Sequence, residues 1–520
     1  MRRILGVTVC VLLTMFLGGL PLGLAQAGEV TWSSLKLQLS AADGSPIQPP
    51  AVPPAGVMPL SVRDAIALAL KGNLDIAVEG FNPQLRQQDL TSQQAVYDPS
   101  AFLELNRSDN RLPAGLNLLT GQRVLSDFFD FNTGLRQTLP TGGTYELRFD
   151  NQYDHIPRTS PDMGYISKLG ITLTQPLLKN FGIEANETNI RIASNNTGIS
   201  QEQLRLRISN VVTSIKTGYF DLIFARQNLE VQRQSLQLAQ NLKALNQARV
   251  RAGVAAPVEV TQAEAQEAAQ VQNVINAEKA VQDAEDNLKV IMNLPVSGGW
   301  GQQIQPTDSP TFEIKSPNLE ENIQKALENR YEYKSAKLDI DNKDLSARLA
   351  RNQLMPDLSL VGSVFTNGFG TSYPKDMSNM GSGEFMSYTV GVILTVPLGN
   401  RAPQAAYIKA KLTEDQAKTS LKQLELQITQ QVRQAVRQLE ADAKRIDANR
   451  AARVLAEEQL RVETKRLEAG VSTTFNVLSF QRDLATAQAN EIQSLTDYNK
   501  DLANLDNVTG AVLEANRIQL

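Results

Sequence analysis

The chain has 520 residues, 20% of them charged, with 51 Lys and Arg against 55 Asp and Glu for a formal net charge of -4. Basic and acidic residues interleave rather than cluster, so there is no electrostatic footprint for nucleic acid and no nucleic-acid partner is expected. One cysteine, Cys10, and one histidine, His155, exclude a disulfide framework and a histidine-based metal site. No metal or cofactor is expected.

The first residues read as a targeting signal. Arg2 and Arg3 precede an apolar run from Ile4 to Leu20, and Ala25-Gln26-Ala27 supplies the small residues of a cleavage site. A signal peptide over 1–27 follows, with a mature chain from Gly28. A retained membrane helix is the competing reading, but the run is short and no stop-transfer flank follows it. Residues 28–59 are proline-rich. From Pro46 to Pro59 they carry no donor pattern for helix or sheet and read as an extended polyproline segment.

Beyond residue 60 the chain says nearly the same thing twice. Ile66, Leu70, Asp75 and Pro99 are answered at one constant separation by Ile323, Leu327, Glu332 and Pro356. Ala252-Gly253-Val254, Val260, Asn287 and Leu288 are answered at a second by Ala469-Gly470-Val471, Val477, Asn504 and Leu505. The divisions are a first repeat over 60–294, a linker over 295–317, a second repeat over 318–510 and a tail over 511–520.

Each repeat opens with a helix, Ser61 to Ala95 and Asn318 to Leu354, stopped at Pro99 and Pro356. Period-two alternation then marks strands at Ala101 to Arg107, Phe129 to Leu135, Tyr145 to Phe149 and Ile166 to Gln175 in the first copy. In the second they fall at Leu358 to Phe365 and Tyr388 to Val396. Pro140-Thr141-Gly142-Gly143 turns a hairpin whose place relative to the other strands the sequence leaves open. After Pro176 and Pro397 come the long helices. Between Pro403 and Gly470 about 66 residues contain neither Gly nor Pro, ~100 Å as one helix. Leu421, Leu424, Ile428, Val432, Ala435, Leu439, Ala443 and Ile446 define its coiled-coil-like seam. The counterpart, Ile183 to Ala252, contains Gly198 and Gly218, where local distortion is expected. Gly253 and Gly470 end these helices at tip turns, and shorter helices descend to about Leu294 and Val508. The leading and descending helices laid end to end match one long helix, ~105 Å.

Amphipathic strands in an exported chain meet lipid only as a closed barrel. Two strands in the second copy and two to four in the first are too few to close one, since single-chain barrels begin at about eight. Several chains must therefore contribute. A soluble β-sandwich on a coiled-coil stalk remains the competing reading. A periplasmic adaptor with long hairpins and a secreted structural coiled coil are alternatives, the latter set back by Gly253 and Gly470 breaking the seam at matching places. No carboxylate pairs with a nucleophile, metal cluster or phosphate-binding glycine loop, so an enzyme is not expected.

The tandem copies, Tyr97-Asp98-Pro99, Gln175-Pro176-Leu177-Leu178, Val396-Pro397-Leu398-Gly399, the two Ala-Gly-Val tips, Asn293-Leu294-Pro295 and Thr509-Gly510 together resemble the TolC-type outer-membrane efflux family. The resemblance covers about 60–510 and implies a mainly α fold with membrane β strands: a homotrimeric TolC-like β-barrel plus a long α-helical barrel, built from two tandem repeats. It implies an outer-membrane exit channel of a tripartite efflux pump or type I secretion system, spanning into the periplasm and embedded in outer-membrane lipid. A periplasmic adaptor would meet the tips at Gly253, Val254, Gly470 and Val471 and join them to an inner-membrane pump. The family's acidic tip ring falls on Asn476 and Ser479 here, so that ring is missing. Glu259 keeps the acid of the first tip and becomes the main acidic constriction; its usual arginine partner is Ser472, and Arg466 reads either as a substitute in a Glu259–Arg466 latch or, more simply, as an exposed helix charge.

Overall fold

The computed structural model describes residues 38–39, 56–112, 124–155, 164–296, 300–312 and 317–519. The signal segment 1–27 and residues 46–55 of the proline-rich run lie outside them. In chain order the first part comprises β1 Gln38–Leu39, β2 Val57–Leu60, α1 Val62–Gly72, α2 Leu74–Gln94, β3 Ser100–Leu112, β4 Val124–Thr138, β5 Thr144–His155 and β6 Tyr165–Pro176. There follow α3 Ile183–Asn186, the 64-residue α4 Thr188–Arg251, α5 Pro257–Met292 and β7 Gln303–Pro306. The second part comprises α6 Leu319–Asn329, α7 Tyr331–Asn352, β8 Asp357–Gly370, α8 Tyr373–Ser382, β9 Met386–Thr395, the 68-residue α9 Arg401–Glu468, α10 Thr474–Val508, α11 Val512–Ala515 and β10 Ile518–Gln519.

The leading helices are not continuous, as the sequence reading had them. They break at Asn73 and Arg330, each in an extended conformation. Both breaks are local and tertiary at once. The Asn73 side chain accepts from Ile76 N at 3.1 Å, capping α2, while its amide donates to Ile291 O at 2.7 Å. Asn293, left-handed at φ 51°, ends α5 and returns a bond to Gly72 O at 2.8 Å. So α2, not the whole leading segment, stacks on the end of α5, and the pair spans ~85 Å beside ~95 Å for α4. The second copy repeats the joint, with Gly510 pressed against the backbone of Asn329 and Arg330.

Gly198 and Gly218 do not distort α4, which runs through both. They sit where neighbours close in: a Cβ on Gly198 would lie 3.2 Å from Leu338, and one on Gly218 would touch Leu288 and Ile291. Packing therefore offsets the ~1 kcal/mol propensity cost.

Three further segments differ from the sequence reading. Val57–Leu60, at the end of the supposed polyproline run, is a strand paired in parallel with Gln303–Pro306 of the linker. Met58, Leu60 and Ile304 are fully buried there, which supplies the free energy the local pattern did not advertise. The tail after Gly510 forms α11 and β10, and β10 pairs antiparallel with β1. Between β8 and β9 stands α8, unanticipated in the sequence.

The helices form a slab. On α4 pack α2 and α5 on one side and α7 and α10 on the other, and α9 lies against α7 and α10 at the far edge. The main core gathers Ile208, Val212, Ile215, Tyr219, Leu222 and Leu288 at the level of the α2–α5 joint. A second seam holds Ile428, Val432, Val436, Leu439 and Tyr498. Within that seam Asp442 of α9 is fully buried, bonded by Arg445 and by Gln438 at 3.2 Å. Burial first, and then the Asp442 carboxyl, push Asp501 of α10 up to about 7. A raised carboxyl binds its proton more tightly folded than unfolded, so its contribution is complete below about pH 4 and is lost as pH rises to about 7. Asp501→Asn should therefore change thermal stability little at about pH 4 and raise it at about pH 8, as read by circular dichroism melts.

All six strands from β3 to β9 other than β7 form one sheet, ordered β3-β4-β5-β6-β8-β9. The hairpin at Pro140 to Gly143 is inside it; Gly142, at φ 87°, makes the turn, where a Cβ would strike Asn180 O. One register row runs Ala101, Leu135, Leu147, Ile171, Val364, Tyr388 across all six strands. A nearby row on the other face runs Ser100, Arg136, Glu146, Thr172, Ser363, Thr389. The sheet thus has one mainly apolar and one mainly charged face, and α8 packs at one end of the apolar face, where Asp376 is buried against Ser167 and Gly368.

Candidate functional site: the paired helical tips

Both hairpins end in the same turn. Val254 N bonds Arg249 O at 3.0 Å and Gly253 N bonds Val250 O at 3.0 Å; Val471 N bonds Arg466 O at 2.9 Å and Gly470 N bonds Leu467 O at 3.1 Å. This double closure needs a left-handed residue, and Gly253 (φ 74°) and Gly470 (φ 76°) supply it. Pro257 then starts α5 at its first turn, while the Thr473 hydroxyl caps α10 by accepting from Asn476 N.

The turns present apolar side chains to solvent. Val254 is 67%, Val471 66% and Phe475 64% exposed, and Val258 joins them.

Behind this surface the two tips are bonded to each other. Thr474, buried at the start of α10, donates to Glu259 Oε2 at 2.8 Å, with Asn246 Oδ1 at 3.3 Å. Arg249 Nη1 stands 3.5 Å from the same carboxylate, and the Asn246 amide donates to Glu259 O at 3.2 Å. Glu259 is thus held between its own hairpin and the next one. Beneath it Leu242 packs with Leu460, Leu467, Val477 and Leu478, joining α4 to α9 and α10.

The expected Glu259–Arg466 pair is not formed within the chain. Arg466 turns back along α9 to Glu463 at 3.0 Å, and Glu259 takes Arg249 and Thr474 instead. Ser472, in place of an arginine partner, donates to Glu463, as does Asn476 at 3.4 Å. The Ser472 hydroxyl, with Arg466 and Asn476, holds the buried Glu463 carboxyl below its usual range. Ser479 is half-buried one turn further on.

The failure of repeat symmetry is therefore an exchange rather than a loss. Asn246 and Glu259 of the first copy stand where Glu463 and Asn476 stand in the second, with Arg249 answering Arg466. Each tip keeps one carboxylate, one arginine and one asparagine. Sequence reasoning followed the descending helices and missed Asn246, Arg249, Glu463 and Thr474. Comparing the ascending helices at matched positions before the two glycines would have exposed Asn246 against Glu463; Thr474, whose partners are remote in sequence, had no such signal.

The sequence profile of the family described as outer membrane efflux protein matches residues 158–294 and 322–511. Nodulation protein T of Rhizobium leguminosarum bv. viciae is 24% identical over 344 residues, 66% of this chain and 68% of that protein. Outer membrane protein TolC of Vibrio cholerae is 23% identical over 378 residues, 70% of this chain and 80% of that protein. In fold, the chain is similar to the outer membrane protein VceC of Vibrio cholerae, with a TM-score of 0.64, 15% identity and coverage of 86% of this chain and 96% of that one. It is likewise similar to the Campylobacter jejuni CmeC outer membrane channel, with a TM-score of 0.64, 15% identity and coverage of 86% and 85%.

Proposed function

The chain belongs to the outer membrane efflux protein family, and on that premise we propose that three copies form one passive duct through the outer membrane and across the periplasm. The observation that carries this reading is the six-stranded sheet, apolar on one face and charged on the other, with both edges unpaired among the described residues. Such a sheet suits a lipid-embedded wall with a wet interior, and six strands fall short of a closed barrel.

The helical slab supports the same assembly. Its α2/α5 edge exposes Leu74, Val78, Leu85, Val271 and Ile275, and its α9 edge exposes Ile408, Leu412, Leu426, Val454 and Leu455. Placed head to tail, α2 of one copy meets the upper half of α9 of the next, and α5 meets its lower half. A head-to-tail contact of this kind closes a ring when its rotation divides a full turn, as three copies in one duct require.

In this duct the tips form the periplasmic gate, and Glu259, with Asn476 and Ser479 nearby, lines the aperture. A periplasmic adaptor docks on Val254 and Val471 at the turns of Gly253 and Gly470, and joins the duct to an inner-membrane pump for efflux or type I secretion. Three Glu259 side chains around a narrow pore favour cations.

Purified protein in detergent should run as three chains by mass photometry and conduct in planar bilayers with a cation preference that Glu259→Gln weakens. Particles of one chain that conduct nothing would overturn the duct. An unchanged cation preference in the variant would remove Glu259 from the aperture.

A further inference from the structure

The two repeats are unequal in their strands, and the inequality has a place. Pro99 and Pro356 precede β3 and β8, and Pro176 and Pro397 close the segments holding β6 and β9, so β3 answers β8 and β6 answers β9. The β4–β5 hairpin therefore stands in the first repeat where the second has only α8. Yet α8 packs over β8 and β6, whereas the hairpin enters the sheet between β3 and β6.

We propose that the β4–β5 hairpin is a wall segment of the exit barrel that widens its bore and lines it with charge, adapting the exit to bulky hydrated solutes. This rests on the three-chain duct. Two strands per repeat would give such an assembly twelve strands; the six per chain give it eighteen. Barrel diameter grows roughly linearly with strand number, so the bore widens about 1.5-fold, into the range where barrels leave an aqueous channel.

The hairpin has the two faces a wall needs. Outward it carries Phe129, Phe131, Leu135, Leu147 and Phe149, continuous with the apolar rows of its neighbours. Inward it carries Arg136, Glu146, Arg148 and Asp150. Arg136 pairs with Glu146 at 2.8 Å; Arg148 bonds Asp150 and reaches Glu104 of β3 and Glu146 at 3.5 Å each. Both guanidiniums lie over the Phe102 ring of β3, at 5.5 and 5.7 Å. Gly134 and Gly170 leave the room for Phe102 and Phe365, since a Cβ on either would collide with the facing ring. The inner face is thus tied strand to strand, and a hairpin lying outside the barrel would bury these charges against lipid or leave its phenyl rings in water.

The test uses cysteine pairs in the full-length protein, whose one native cysteine is Cys10, after the trimer has been isolated from membranes. Leu147→Cys with Ile171→Cys joins β5 to β6 and should oxidise; Ala101→Cys with Ile171→Cys spans β3 to β6, separated here by two strands, and should not. A map of the trimer should trace eighteen strands. A trimer with twelve strands, or one in which the β3–β6 pair oxidises instead, overturns the wall assignment and leaves the duct standing. Failure to isolate any trimer would instead bear against the duct itself.

Discussion

Glu259→Gln combined with Thr474→Val should leave the resting duct leaking. Among the described residues only the Thr474 hydroxyl bonds the Glu259 carboxylate from the other hairpin, and Arg249 holds that carboxylate from its own. A hydrogen bond to a charged group contributes ~1.5–3 kcal/mol. Glu259 is a quarter exposed, so the lower end applies. Lost in three copies at once, it amounts to ~4 kcal/mol, enough to move a closed-to-open equilibrium by two to three orders of magnitude. In planar bilayers without an adaptor, the open fraction should rise at least about a hundredfold. Arg466→Ala, which removes an exposed side chain paired along its own helix, should change it less than about tenfold. Equal effects of the two variants would return the latch to Arg466.

Tyr219→Ala should be the most damaging single substitution at the level of the α2–α5 joint. Tyr219 is fully buried in the main core, and its hydroxyl donates to Leu60 O at 2.8 Å while accepting from Thr307 N and Asp308 N at 3.2 Å. Asp308 in turn takes Val62 N at 2.7 Å, so one phenol joins the parallel β2–β7 pair, the start of α1 and the middle of α4. Burial pushes this hydroxyl up to about 12, and it stays a neutral donor at every working pH. Removing an aromatic side chain from such a core costs ~3–5 kcal/mol. Tyr219→Phe keeps the packing and leaves the polar partners unsatisfied, costing ~1–3 kcal/mol. Chemical denaturation followed by circular dichroism should rank wild type, Tyr219→Phe and Tyr219→Ala in that order. A Tyr219→Phe variant as unstable as Tyr219→Ala would mean that the hydroxyl, not the ring, organises this part of the core.

Much of the fold was legible because its signals are local. Alternation along Tyr145, Leu147 and Phe149, with Glu146, Arg148 and Asp150 between them, reports a strand with two solvents without reference to any partner. The tip glycines and the flanking prolines punctuate the helices just as locally. Most of the errors have the opposite property. Gly72-Asn73 carried a local stop-and-cap signal that the sequence reading passed over, but Arg330 gives no warning until Gly510 presses on it. Val57 to Leu60 follow a proline run and become a strand only because β7 arrives from a distant part of the chain. The place of the Gly142 hairpin was open for the same reason, since register between β5 and β6 is not written in either strand alone.

The tip shows the limit most sharply. Glu259 could be picked out from the sequence, but its partners could not: the residue type expected across from it was an arginine, and the structure supplies a threonine. A serine and an asparagine likewise surround Glu463. Hydroxyl and amide donors are common on any helix, so only geometry separates Thr474 and Ser472 from their neighbours.

A chain-resolved map of the protein in lipid, without adaptor, tests the central claim most directly. Three copies should share one barrel and one helical tube, the α2/α5 edge of each on the α9 edge of the next, with Thr474 on Glu259 behind a closed tip. A barrel closed within a single chain, or those two apolar edges left facing solvent, would contradict it.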